Sequence, residues 1–94
     1  TEPKKLDAFI VSNDALEAFK LAEELRCQGL KVEFDLQNKK FTKQLEKASK
    51  IAKFAFILGE DEINTNTVSV KNLASSVQKK IERKNLRSEY IHVN

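Results

Sequence analysis

The sequence predicts an α/β fold, a three-layer sandwich in which a mixed sheet of about five strands is flanked by helices. Three stretches carry that prediction. Lys31-Val-Glu-Phe-Asp-Leu36 alternates apolar and polar residues, as a half-buried strand does. Phe54-Ala-Phe-Ile-Leu58 is an unbroken apolar run, the pattern of a strand covered on both faces. Between them the period changes. At about 100° per residue Phe41, Leu45, Ala48 and Ala52 share one helical face. Lys39, Lys43, Lys47 and Lys50 share the opposite face, with Lys40 at its edge. A strand, a helix with one buried side and a second strand form a crossover unit with parallel pairing.

Taken in order, residues 1–5 read as a flexible lead-in and 6–94 as one domain. Leu6–Val11 is a first strand. Ser12-Asn13-Asp14 suits a helix start, and Asp14 with Glu17 three residues on fits a capping pair. The helix runs to about Gln28, with Ala15, Ala18, Phe19, Ala22 and Leu25 inward and Glu17, Lys20, Glu23 and Glu24 outward. Gly29 is placed to end it in a left-handed conformation. Gln37-Asn38 leads into the basic helix. After the third strand, Gly59–Asn66 reads as an acidic, polar loop, and Thr67–Lys71 alternates as a fourth strand. Beyond Leu73 two readings stay open. One is a helix over Ala74–Arg83, with Val77 and Ile81 four apart; the other is a turn at Ala74-Ser75-Ser76, a strand Gln78–Arg83 and a short helix from Asn85. The parallel crossovers are expected to be right-handed.

With 94 residues the chain has room for one core, and six Phe supply its bulk. No apolar run approaches the length of a membrane span, so no membrane partner is expected. A chain without Met that opens Thr-Glu-Pro-Lys-Lys reads as a piece of a longer protein. The single Cys27 excludes an internal disulfide and fits a reducing compartment, so a cytoplasmic location is expected. The net charge of +3 is unevenly spread. Residues 39–53 carry six Lys against one Glu, and 79–87 carry five cations against Glu82, leaving the rest net negative. That asymmetry points to a polyanionic partner on one side, although a solvated lysine-rich helix gives the same pattern.

Catalytic constellations are missing. Two Gly in the whole chain exclude a Gly-rich dinucleotide or phosphate loop. Cys27 has no second Cys and no nearby His, and reads as a small helix residue rather than a nucleophile. His92 lies two residues from the end, so neither catalysis nor zinc is expected of it. Glu60, Asp61 and Glu62 are consecutive and do not converge on an ion without a wrapped backbone; a solvated loop is the simpler reading. Phe41 and Tyr90 have rings that can stack on bases, but Phe41 lies on the apolar face. The chain alone reads as non-catalytic.

The order of three segments adds to this. Ala22-Glu-Glu-Leu-Arg-Cys-Gln-Gly-Leu-Lys-Val-Glu-Phe-Asp-Leu36, Lys39-Lys-Phe-Thr-Lys-Gln-Leu-Glu-Lys-Ala-Ser-Lys50 and Phe56-Ile-Leu-Gly-Glu-Asp-Glu-Ile63 resemble the C-terminal anticodon-binding domain of class II aminoacyl-tRNA synthetases, the group for His, Gly, Thr and Pro. Ile57-Leu-Gly-Glu-Asp-Glu62 and Lys43-Gln44 with Ala48 and Lys50 look most like the histidyl members. The resemblance covers residues 6 to 83 and favours the hairpin over the helix after Leu73. It departs where the family often has Gly, in the segment Asn64-Thr65-Asn66 and before Gln78, where this chain has Ser76-Val77.

What the resemblance implies is a tRNA anticodon stem-loop as partner, and a parent enzyme that is a homodimer. No cofactor is expected in this domain; ATP and Mg belong to a separate catalytic domain that attaches the amino acid to its tRNA. RNA loops are read by polar groups and stacking surfaces while cations hold the backbone. Lys39, Lys40, Lys43 and Lys47 are therefore the candidates for phosphate, and Asn13, Gln44 and Glu60 for bases. Ligands of open α/β sheets gather at the carboxyl ends of strands, where Asn13 and Glu60 fall. A helix cap or a solvated side chain is the plain alternative for each. Competing functions are a synthetase-like paralogue used for protein–protein regulation, an anticodon domain of the Gly, Thr or Pro enzymes, and a small metabolite- or partner-binding domain such as a phosphorelay receiver. The last needs an acid pair after the first strand, and only Asp14 stands there beside Asp35.

Overall fold

Ala8 and Ile10 face one side of their strand and Phe9 and Val11 the other, and all four are sealed from solvent. A strand apolar on both sides needs cover on both sides, and the computed structural model supplies it. It describes residues 6–35 and 40–85. The strands β1 (Leu6–Ser12), β2 (Val32–Phe34), β3 (Ala52–Leu58), β4 (Thr67–Asn72) and β5 (Gln78–Glu82) form one sheet in the order β2-β1-β3-β4-β5. β1 pairs in parallel with β2 and β3; β4 runs antiparallel to both β3 and β5. Helices α1 (Ala15–Cys27), α2 (Phe41–Ile51) and α3 (Glu60–Thr65) complete the fold, with a 3-10 turn at Arg83–Asn85.

The chain steps from β1 to β2 in one direction and from β2 past β1 to β3 in the other. Crossovers of one hand then lay their helices on opposite faces. That is the arrangement found. Ala18, Leu21, Ala22 and Leu25 of α1 pack with Ala8, Ile10, Phe54, Phe56, Leu58, Val68 and Val70. On the other face Phe41, Leu45, Ala48 and Ile51 of α2 pack with Phe9, Val11, Ala55 and Ile57. The three-layer sandwich with a mixed five-stranded sheet is therefore present.

Local chemistry explains the element ends. Asp14 Oδ1 accepts the Glu17 N–H at 3.1 Å, capping α1. The other half of the pair differs from expectation: the Asp14 N–H donates to Ser12 Oγ at 3.0 Å, and Glu17 turns to Lys20 and Arg83. Gly29 has φ +88°, and the N–H groups of Gly29 and Leu30 return to Arg26 and Leu25, a Schellman closure. The hairpin reading after Leu73 holds. Asn72 Oδ1 accepts the N–H groups of Ala74 and Ser75, and Ser76 takes φ +64°.

Three expectations are corrected. Gly59–Asn66 is not a loop: its middle is α3, whose entry is fixed by Gly59 N–H donating to Glu62 Oε1 at 3.0 Å and whose exit is Asn66 at φ 58°. Phe19 and Ala15 do not face the core. Phe19 is 51% exposed, and Leu21 takes the inward place because α1 seats on the 18, 21, 22, 25 stripe. β2 is shorter than the alternation of 31–36, pairing with β1 from Val32 to Phe34. The lead-in 1–5, the Gln37-Asn38 connection, Lys39, the helix beyond Asn85, Tyr90 and His92 lie outside the described residues.

Candidate nucleic-acid interface

β1 leaves the sheet for α1 on one face, whereas α2, which follows β2, lies on the other. Divergent exits of this kind open a crevice at the carboxyl edge of an α/β sheet. Two contacts draw α2 onto that edge. The Gln44 side chain, 1% exposed, accepts the Ser12 N–H through Oε1 at 2.9 Å and donates through Nε2 to the Ser12 carbonyl at 3.2 Å. The Phe41 ring lies against Gly59, where a Cβ would sit 3.5 Å from Cε2. The end of β1, the end of β3 and the first turns of α2 are thus held together. Asn13 follows Ser12, Glu60 follows Gly59, and both are exposed.

Lys40 is the N-cap of α2, which has no side-chain cap bond and no acid in its first turn. The partial positive charge of those N–H groups therefore adds to the ammonium of Lys40 and Lys43 on the same edge. Lys43 and Lys50 are exposed and, among the described residues, pair with no carboxylate. Lys47 differs. Its Nζ lies 3.3 Å from Asp35 Oδ2 and 5.9 Å from the centre of the Phe9 ring. Asp35 is 8% exposed at its side chain, so Lys47 leans inward over the end of β2.

The structure thus gathers Asn13, Lys40, Lys43 and Glu60 around one edge and sends Gln44 beneath it. Gln44 cannot offer its amide to a base without releasing Ser12. The sequence held a signal for this, because Gln44 lies between Ala48 and Ile51 on the apolar side of α2. A polar residue there calls for a buried partner. Of the three consecutive acids only Glu62 turns inward. Burial raises its carboxyl pKa, but the Ser69 hydroxyl, its own and the Gly59 N–H, and the Lys80 charge together outweigh burial and hold it below the usual range. Glu62 is spent on Gly59 and Ser69 at 3.0 Å each. Among the described residues no group of three His, Cys, Asp or Glu could hold a metal. The exposed groups gathered at this edge are the Lys40 and Lys43 ammoniums, the Asn13 amide and the Glu60 carboxylate, a set able to hold a charged, polar ligand.

A family model described as the anticodon binding domain matches residues 8–91. The histidine–tRNA ligase of Clostridium novyi (strain NT) is 38% identical over 89 residues, covering 90% of this chain and 21% of the relative. That of Thermoanaerobacter sp. (strain X514) is 42% identical over 76 residues, covering 77% and 18%. The apo histidyl-tRNA synthetase of S. aureus has the same fold with a TM-score of 0.79 at 33% identity, over 94% of this chain and 23% of that one. The RNA binding domain of threonyl-tRNA synthetase from Cryptosporidium parvum Iowa II reaches 0.81 at 16% identity, over 94% and 23%, a likeness of fold alone. The chain spans about a fifth of the length of the curated relatives it matches. Since the family pattern runs from β1 to within a few residues of the last position, the chain belongs to the anticodon binding domain family, with histidine–tRNA ligases as its curated relatives.

Proposed function

We propose that this domain binds the anticodon stem-loop of a histidine tRNA, as part of a longer ligase whose remaining residues join histidine to that tRNA. The observation that carries this reading is the convergence of an uncapped, lysine-bearing helix start with the ends of β1 and β3. Lys40 and Lys43 hold phosphates, while Asn13 and Glu60 face unstacked bases. ATP and Mg act in the rest of the parent, not here. The parent is a cytoplasmic homodimer; the free thiol of Cys27, exposed on α1, supports a reducing compartment.

Titration of the chain against a hairpin carrying the histidine anticodon, beside one with those three bases changed, tests this across a salt series. Tighter binding of the first hairpin is expected, with log K falling against log salt by about 0.7 per phosphate held. Equal binding of both would reduce the edge to a basic surface without base reading.

A protein-regulatory role has one observation in its favour. Leu16 and Phe19 stand 61% and 51% exposed on the outer side of α1, across the sheet from the lysines of α2. They mark a protein-facing side in the parent, which is compatible with RNA on the opposite layer.

A further inference from the structure

Among the described residues β1 and β2 pair only as far as Ile10 and Phe34. Ser12, two residues on, has the same strand parity as Ile10, so its N–H and C=O point to the side where β2 would continue. Gln44 fills that rung. Its amide carries one acceptor and one donor in the spacing of a backbone peptide, and it meets the Ser12 N–H at 2.9 Å and the Ser12 carbonyl at 3.2 Å. On its other side Ser12 is in register with Leu58 of β3. The Ser12 hydroxyl in turn accepts the Asp14 N–H at 3.0 Å, and Asp14 caps α1.

Asn13 is therefore bracketed. The residue before it is fixed by a helix on one face of the sheet, and the residue after it starts the helix on the other face. Its own side chain is exposed and makes no hydrogen bond among the described residues. A carboxamide carried on a backbone fixed on both sides presents a donor and an acceptor together, the pairing that a base edge offers in return.

We infer that Gln44 is a positioning residue for base selection: by completing the ladder at Ser12 it fixes the turn from which Asn13 reads one base of the bound loop. The inference rests on the carboxyl edge being the RNA surface. It makes Gln44 act through Asn13 and not through the RNA, which separates it from the lysines. Removing a lysine lowers affinity for every hairpin alike, whereas loosening the Asn13 turn lowers only the preference for the right one.

The experiment is fluorescence anisotropy of the wild-type chain, Gln44→Met, Asn13→Ala and the double variant, each with the histidine-anticodon hairpin and the base-changed hairpin at two salt concentrations. Asn13→Ala alters one exposed side chain and leaves the core alone, so its outcome does not depend on the fold of the Gln44 variant. Folding of each protein is followed by its thermal transition. The expected result is a roughly tenfold loss of discrimination in each single variant, about the size of one bidentate base contact. The salt slope should stay unchanged, and the double variant should lose no more than either single one. A Gln44→Met chain that unfolds at lower temperature yet discriminates as well as wild type would overturn the inference, leaving Gln44 a purely structural residue and the anticodon reading intact. Full discrimination in Asn13→Ala would overturn it as well. A wild-type chain that does not distinguish the two hairpins would overturn the underlying reading and the inference together.

Discussion

Lys47 Nζ lies 3.3 Å from the Asp35 carboxylate, and this pair divides the lysines of α2 into two kinds. Lys43 and Lys50 stand in water without a carboxylate partner among the described residues, while Lys47 closes over the end of β2. Lys43→Ala should therefore reduce the salt slope of RNA binding by about 0.7 and leave stability unchanged. Lys47→Ala should reduce the slope by less and cost about 0.5 kcal/mol of stability, since the partly exposed pair is screened. Urea midpoints and a salt titration of the two variants check both halves.

Arg83 joins the residues after β5 to the first helix. Its Nη1 lies 2.9 Å from Glu17 Oε1 and its Nη2 3.0 Å from Glu24 Oε2, with the guanidinium side chain only 12% exposed. Each of these is a charge-assisted hydrogen bond that ties the exit of β5 to α1. Arg83→Ala should lower stability by about 1–2 kcal/mol, measured by chemical unfolding. Arg83→Lys should recover only part of it, because an ammonium cannot span both carboxylates in one plane.

Ser76 occupies φ +64° in the β4–β5 turn, a region that costs a side chain about 1 kcal/mol. Ser76→Gly removes that strain at the expense of a more flexible unfolded chain. A net gain of about 0.5 kcal/mol in the urea midpoint is expected. The same exchange at Asn66, φ 58°, should gain less, because Asn tolerates the left-handed region.

Glu62 gives the acid limb of stability a definite sign. Its folded pKa lies below the unfolded value near 4.5, so the ionised carboxylate contributes fully above that pH. The contribution fades as pH falls through the lowered folded value. Glu62→Gln should cost about 1 kcal/mol at pH 7, and the gap to wild type should narrow steadily below pH 4.5. Thermal unfolding at several pH values measures it.

Periodicity made the sandwich, the parallel crossovers and the basic face of α2 readable. Where several patterns fitted equally, the tertiary structure chose. On α1 the stripe through Ala15 and Phe19 and the stripe through Leu21 lie side by side, and only the slant of the helix on the sheet decides between them. α3 was hidden because six residues with a single apolar side chain, Ile63, carry no period; its evidence is the spacing of Gly59 and Glu62. The hairpin after Leu73 was written in Asn72, which accepts two turn N–H groups, and the helical spacing of Val77 and Ile81 is coincidental. The two segments in which the resemblance departs from a Gly, Asn64-Thr65-Asn66 and Ser76-Val77, each contain a residue with positive φ, Asn66 and Ser76. At the candidate site Asn13, Lys40, Lys43 and Glu60 lie where strand ends and helix starts predict. The inward turn of Gln44 and the pairing of Lys47 depend on neighbours distant in sequence.

The most direct measurement is an amide chemical-shift map of the 15N-labelled chain during titration with the histidine-anticodon hairpin. Shifts concentrated at Asn13, Lys40, Lys43, Gly59 and Glu60, with Leu16, Phe19 and Cys27 unmoved, are the expected result. Shifts centred on α1 with the carboxyl edge silent would contradict RNA binding at this surface.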